Sequence, residues 1–121
     1  MLKTLEKQTK PLNKYEREIL LPVLIAGLRT KRGIENAISN KKICDTLTKK
    51  EYKLSPERVR KIIHIIRAEH YISRLIATSK GYYIATTVKE LRTYKQTLIG
   101  RKTALEILIN VVDKDLNEIN C

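Results

Sequence analysis

Arg60, Lys61 and His64 carry the strongest chemical signal in this 121-residue chain, grouped at helical spacing within the segment PERVRKIIHIIRA. A guanidinium presents a rigid fork of donors, an ammonium a mobile point charge and an imidazole one or two ring donors. Such a set donates to anions and to acceptor edges, which makes phosphate oxygens and base edges its natural partners. The remaining inventory is sparse. The chain holds two His and two Cys, and Cys44 and Cys121 form no spaced metal-binding pair. His70 follows the helical segment and reads as structural. There is no His-Glu-x-x-His pair, no phosphate-cradling Gly-x-x-x-x-Gly-Lys loop and no dinucleotide glycine fingerprint. Asp113 and Asp115 stand two apart in a helical pattern and point in different directions, so they cannot work as an acid–base pair. No nucleophile–base set is present. The expectation is a non-enzymatic protein with no metal and no cofactor.

Charge points the same way. Net charge is +12, and residues 1–102 hold 24 of the 25 Lys/Arg and nine of the 13 Asp/Glu. Residues 103–121 reverse the sign, with Lys114 against Glu106, Asp113, Asp115 and Glu118. A basic body with a mildly acidic end implies a polyanionic partner for the body. The length suits one small domain with a single core, and with no Trp and no Phe that core must be Ile, Leu, Val and Tyr. The first residues lack the apolar centre of a secretory signal, and no apolar run reaches the ~20 residues of a membrane span. Cysteine usage argues against a disulfide framework and places the chain in a reducing cytoplasm.

The elements that must position the basic cluster are legible from caps and periodicity. Residues 1–13 read as a basic arm containing Lys3, Lys7 and Lys10. A first helix is expected over about 14–29, with Asn13 and Glu16 at capping-box spacing and Tyr15, Ile19, Val23 and Leu24 as its apolar recurrence, broadened by Leu20, Leu21, Ile25 and Leu28. Pro22 should kink or split it near Leu21. Ser39 or Asn40 caps a second helix over about 40–50 with Ile43, Cys44 and Leu47 inward. The third helix starts at Ser55 with Pro56 in its first position and runs to about 68 or 69. Val59, Ile62, Ile63 and Ile66 share its core face, so Arg60, Lys61 and His64 face away. Residues 75–78 and 82–85 read as strands joined by Ser79-Lys80-Gly81, with Gly81 supplying a positive φ. Thr87 and Glu90 open a fourth helix reaching about 118, weakened at Gly100.

Helix, helix, basic helix and hairpin follow in the order of a winged helix-turn-helix, and residues 14–86 resemble that family. The resemblance rests on Ile38-Ser39 entering the second helix, Leu54-Ser55 and Val59 entering the third, and the hairpin LIATSKGYYIA. VRKIIHIIR followed by that hairpin is similar to small winged-helix proteins of phages and other bacterial mobile elements. The connection over about 49–55 is longer than a standard helix-turn-helix turn. The resemblance implies a mainly α fold with a small β-hairpin and a protein that binds double-stranded DNA, regulating transcription or replication. It places Arg60, Lys61 and His64 on bases and Arg58, Arg67, Lys41 and Lys42 on phosphates, with Ser55 also among the DNA-binding residues. Ser79 and Lys80 form the wing tip.

Residues 87–121 add a helix beyond that domain. Leu91, Leu98, Leu105, Val112 and Ile119 recur every seven residues, with Leu108 in the companion row. Arg101 and Asp115 interrupt that row, which argues against a uniform coiled coil. Ile109 and Leu116 broaden the face, which suits a globular body or an antiparallel partner. A homodimer through this helix is expected. The rival reading is a protein–protein adaptor on the same fold, since fold alone does not fix function. An RNA-binding surface would draw on Tyr82 and Tyr83.

Overall fold

The computed structural model describes residues 10–120, so most of the expected arm, with Lys3 and Lys7, and the terminal Cys121 lie outside the described residues. The chain is mainly helical, with one two-stranded antiparallel hairpin and a long C-terminal helix. It forms two compact units, residues 1–86 and residues 87–121.

The first unit opens with a reciprocal cap. The Glu16 N–H donates to Asn13 Oδ1 at 2.8 Å and the Asn13 N–H donates to Glu16 Oε1 at 2.9 Å. A π-helical segment, Glu16–Leu20, runs directly into α1, Leu21–Leu28. The wide turn sits immediately before Pro22. A proline in a regular helix clashes with the carbonyl four residues back and removes a donor, and the five-residue bond from Leu21 N–H to the Glu16 carbonyl opens the helix at that point. The widened turn also resets which residues face inward. Leu20, Leu24 and Leu28, all within the expected apolar stripe, are buried in a row headed by Glu16, whereas Tyr15 and Ile19 are exposed, which corrects those two positions.

After α1 the chain makes a 3-10 turn at Ile34–Asn36 and enters α2, Asn40–Lys49, with Ser39 as N-cap. α3 spans Pro56–Ala68 and is capped by Ser55, whose Oγ accepts the Arg58 N–H. Both helices end in the same way. Glu51 and His70 take left-handed backbone at φ 71° and 61°, and each follows its helix's C-cap residue. Tyr52 N–H then bonds the Leu47 carbonyl and Tyr71 N–H the Ile66 carbonyl, closing Schellman turns. The connection between α2 and α3 is therefore a shaped turn. Tyr15 holds it from outside, its hydroxyl donating to the Lys53 carbonyl and accepting the Lys53 N–H.

β1, Leu75–Thr78, pairs with β2, Gly81–Ile84, in the register Leu75↔Ile84 and Thr78↔Gly81. The connection is thus two residues, Ser79 and Lys80. Gly81 belongs to the strand, and Ala85 lies beyond it, which revises the expected three-residue turn. The far edge of β2 is also used. Ile38 pairs antiparallel with Tyr82, and residues 31–33 bond Ile84. β2 is therefore the central strand, and the segments on either side of the 3-10 turn are stitched to it.

The core lies under α3. Val59, Ile62, Ile63 and Ile66 are completely buried, against Leu20, Leu24, Leu28, Ile43, Leu47, Ile72 and Leu75. Burial of each such side chain stabilises the fold by roughly 1.5–3 kcal/mol. Cys44 packs among them as a small apolar side chain.

The second unit is one helix, α4, Val88–Asn120, unbroken through Gly100. Thr87 caps it: its Oγ1 accepts the Glu90 N–H while the Thr87 N–H donates to Glu90 Oε1, both at 3.1 Å. None of its residues is buried.

Candidate nucleic-acid interface

The inward face of α3 leaves Arg60 and His64, one turn apart, exposed on the outward face, with Lys61 and Arg67 half-buried beside them. The Cys44 thiol is pushed up by burial, opposed by the nearby Arg60 charge, while Asp45 and Glu57 push it further up.

Two contacts bring further cations to the same region. The Asn40 amide, in the first turn of α2, donates to the Pro56 carbonyl in the first turn of α3 at 3.2 Å. The N-terminal ends of the two helices are thereby side by side, and the exposed Lys41 and Lys42 follow Asn40 directly. The second contact is at the hairpin. Gly81 has φ 117°, and a Cβ there would lie 2.5 Å from the Ile38 carbonyl oxygen and 2.9 Å from the Ser39 nitrogen. Only glycine lets the end of the hairpin approach the N-cap of α2 so closely. Ser79 and Lys80, both exposed, are thus set beside the start of α2. Thr78 rigidifies that tip, its Oγ1 accepting the Lys80 N–H at 3.1 Å and donating to the Gly81 carbonyl at 3.2 Å. Hairpin tip, α2 N-terminus and α3 N-terminus form a connected series. Helix N-termini carry partial positive charge and orphan N–H groups, so the series favours anions in addition to its lysines and arginines.

Arg58 is the exception among the expected backbone contacts. Its guanidinium turns inward and grips Glu16 with two bonds, Nε to Oε2 and Nη2 to Oε1, each 2.7 Å. It also donates to the carbonyls of Lys10 and Pro11 at 3.0 Å. Glu16 is only 3% exposed. The Arg58 hydrogen bond holds the Glu16 carboxyl below the usual carboxylate range against the opposing effect of burial, helped by the Asn13 N–H. The physical reason is position: Arg58 is in the first turn of α3, directly against a carboxylate that the capping box has fixed. Its role is to tie residues 10–16 to α3. Ser55 likewise spends its hydroxyl as a cap.

The sequence offered a signal for this clamp that periodicity alone obscured. Glu16 heads the row of fours that continues with Leu20, Leu24 and Leu28, which places an acid on the buried side and calls for a basic partner. The Asn40 link had no such signal, because its partner is a backbone carbonyl.

On β2, Tyr83 is buried and Tyr82 is half-buried, packed on the core, so the hairpin offers no open aromatic platform for stacking bases. Among the described residues no group of three His, Cys, Asp or Glu side chains could hold a metal ion, and no helix is long and apolar enough to cross a membrane. A groove of about 530 Å³ opens between α1 and α2, lined by Val23, Gly27, Ile38 and Leu47 with Lys31 and Lys50. Comparison with protein-family models, curated proteins and solved structures yields no match.

Proposed function

We propose that residues 14–86 are a winged-helix domain that binds double-stranded DNA without catalysis, as a regulator of transcription or replication on a mobile element. α3 enters the major groove, where Arg60 and Lys61 reach guanine O6 and N7 and His64 reaches a base or phosphate. Lys41 and Lys42 at the N-terminus of α2, and Lys80 at the hairpin tip, hold the sugar–phosphate backbone. The observation that carries the reading is the joined basic surface: the exposed Arg60 and His64 of α3 with half-buried Lys61 beside them, the exposed lysines at the start of α2 and Lys80 on the hairpin, tied by the Asn40–Pro56 and Ile38–Tyr82 contacts. The apolar stripe of α4 joins two copies, so that two α3 helices address two half-sites.

Selection of bound sequences from a random duplex pool tests this. Recovery of a common sequence supports groove reading, and a palindrome adds two-fold symmetry. If no duplex is retained at low salt, the DNA reading fails, and the adaptor reading takes its place with the α1–α2 groove as its apolar surface.

A further inference from the structure

α4 exposes Leu105, Ile107, Leu108, Ile109, Val111 and Val112 in a single run, each between 48% and 61% accessible. That is more apolar surface than a helix leaves in water without a partner. Its charges say which partner and in which direction. The first half carries Lys89, Arg92, Lys95, Arg101 and Lys102 against Glu90, and the second half carries Glu106, Asp113, Asp115 and Glu118 against Lys114. No basic residue stands in the last turn to offset the negative end of the helix dipole.

Arg101 and Asp115 are the two charges in the row of Tyr94 and Leu108, and they lie seven residues before and seven residues after Leu108. This symmetry has a geometric consequence. When two such helices run antiparallel about Leu108, Arg101 of each meets Asp115 of the other, twice. When they run parallel in register, Arg101 meets Arg101 and Asp115 meets Asp115 within an apolar seam. Like charges placed together there are repelled without water to screen them.

We infer that α4 pairs antiparallel with α4 of a second copy, centred near Leu108, with Arg101 and Asp115 as the residues that set direction. The inference rests on the self-association proposed above and adds its geometry. About Leu108 residues 96–120 of the two helices overlap, so Arg101 and Lys102 of each lie beside the acidic C-terminal half of its neighbour, and Lys89, Arg92 and Lys95 extend past the neighbour's end.

The test uses the full chain with Cys121→Ser and a nitroxide label on Thr93→Cys, since Thr93 is exposed and lies off the apolar stripe. At 1.5 Å rise per residue, antiparallel helices centred on Leu108 separate the two labels by about 45 Å, whereas parallel helices hold them within about 25 Å. A pulsed dipolar distance near the longer value supports the inference. The shorter value overturns the direction and leaves self-association standing, while a monomer at high micromolar concentration in sedimentation overturns both. The charge assignment has its own readout. Arg101→Asp should weaken the dimer on the order of tenfold or more, and adding Asp115→Arg to it should restore assembly. Failure of the double variant to restore what the single one lost would remove Arg101 and Asp115 from the account.

Discussion

Arg58 shows how a basic residue on a candidate reading helix can belong to the fold instead. Breaking a buried ion pair from one side leaves an uncompensated charge, so Arg58→Ala should destabilise the protein by about 3–5 kcal/mol in denaturant unfolding. Replacing both partners with Leu should cost less than either single change. The pair also fixes a pH dependence. The Glu16 carboxyl is held below its ordinary value by Arg58, so its stabilisation is fully present above the ordinary carboxylate range. It is lost as pH falls through the lowered folded value, and a Glu16→Leu/Arg58→Leu variant should show a shallower loss of stability over that acid window. Arg60 makes the opposite case. Its side chain faces away from the buried Val59, Ile62, Ile63 and Ile66, so Arg60→Ala should leave unfolding nearly unchanged. If Arg60 makes the bidentate guanine contact, its loss should cost about 1–3 kcal/mol of binding and relax preference at one base position. Comparing the variant on preferred and scrambled duplexes checks this.

At the scale of elements, glycine separates what the fold requires from what it tolerates. Gly81→Ala forces a Cβ into the Ile38 carbonyl at positive φ and should destabilise by at least about 2 kcal/mol in thermal unfolding. Gly100 stands in open space on α4, and Gly100→Ala should stabilise the helix by about 1 kcal/mol, read as a higher melting point of its far-ultraviolet signal. The caps at Asn13, Ser55 and Thr87 were legible in the sequence because their chemistry is local, completed within three residues, and that of α2 was narrowed to Ser39 or Asn40, of which Ser39 is the cap. The inward face of α3 was legible too, because four β-branched residues at helical spacing admit one orientation. The first helix was misread for a physical reason. Its π-helical segment ahead of Pro22 adds a residue to the turn, and a fixed helical period then puts Tyr15 and Ile19 at the head of the buried row that Glu16 and Leu20 head instead. The hairpin's approach to α2 was equally hidden, because Gly81 reads as a turn glycine until the Ile38 carbonyl is seen above it. The basic face of the candidate site was legible, and its joining through Asn40 was not, since side chain to backbone contacts across 16 residues leave no periodic trace.

For the whole molecule, the division of charge governs behaviour. On the proposed reading the basic body attracts a polyanion, while the acidic end of α4 repels it and is left to self-association. Binding of duplex DNA by this basic surface is best tested by its salt dependence. Each lysine or arginine seated on a phosphate releases a condensed counterion. With about four to six phosphates neutralised, log K should fall against log salt with a slope near −4 to −5. Lys80→Ala, which removes one backbone contact at the hairpin tip, should lower that slope by roughly one and weaken all duplexes alike. The measurement is an anisotropy titration of a labelled duplex with the wild-type protein and with Lys80→Ala across a salt series. Parallel lines of equal slope are the wrong outcome for a wing that touches phosphate; lines that converge as salt rises, the shallower one belonging to Lys80→Ala, are the predicted one. A slope near zero for the wild type, or no binding at the lowest salt, would contradict DNA binding by this surface.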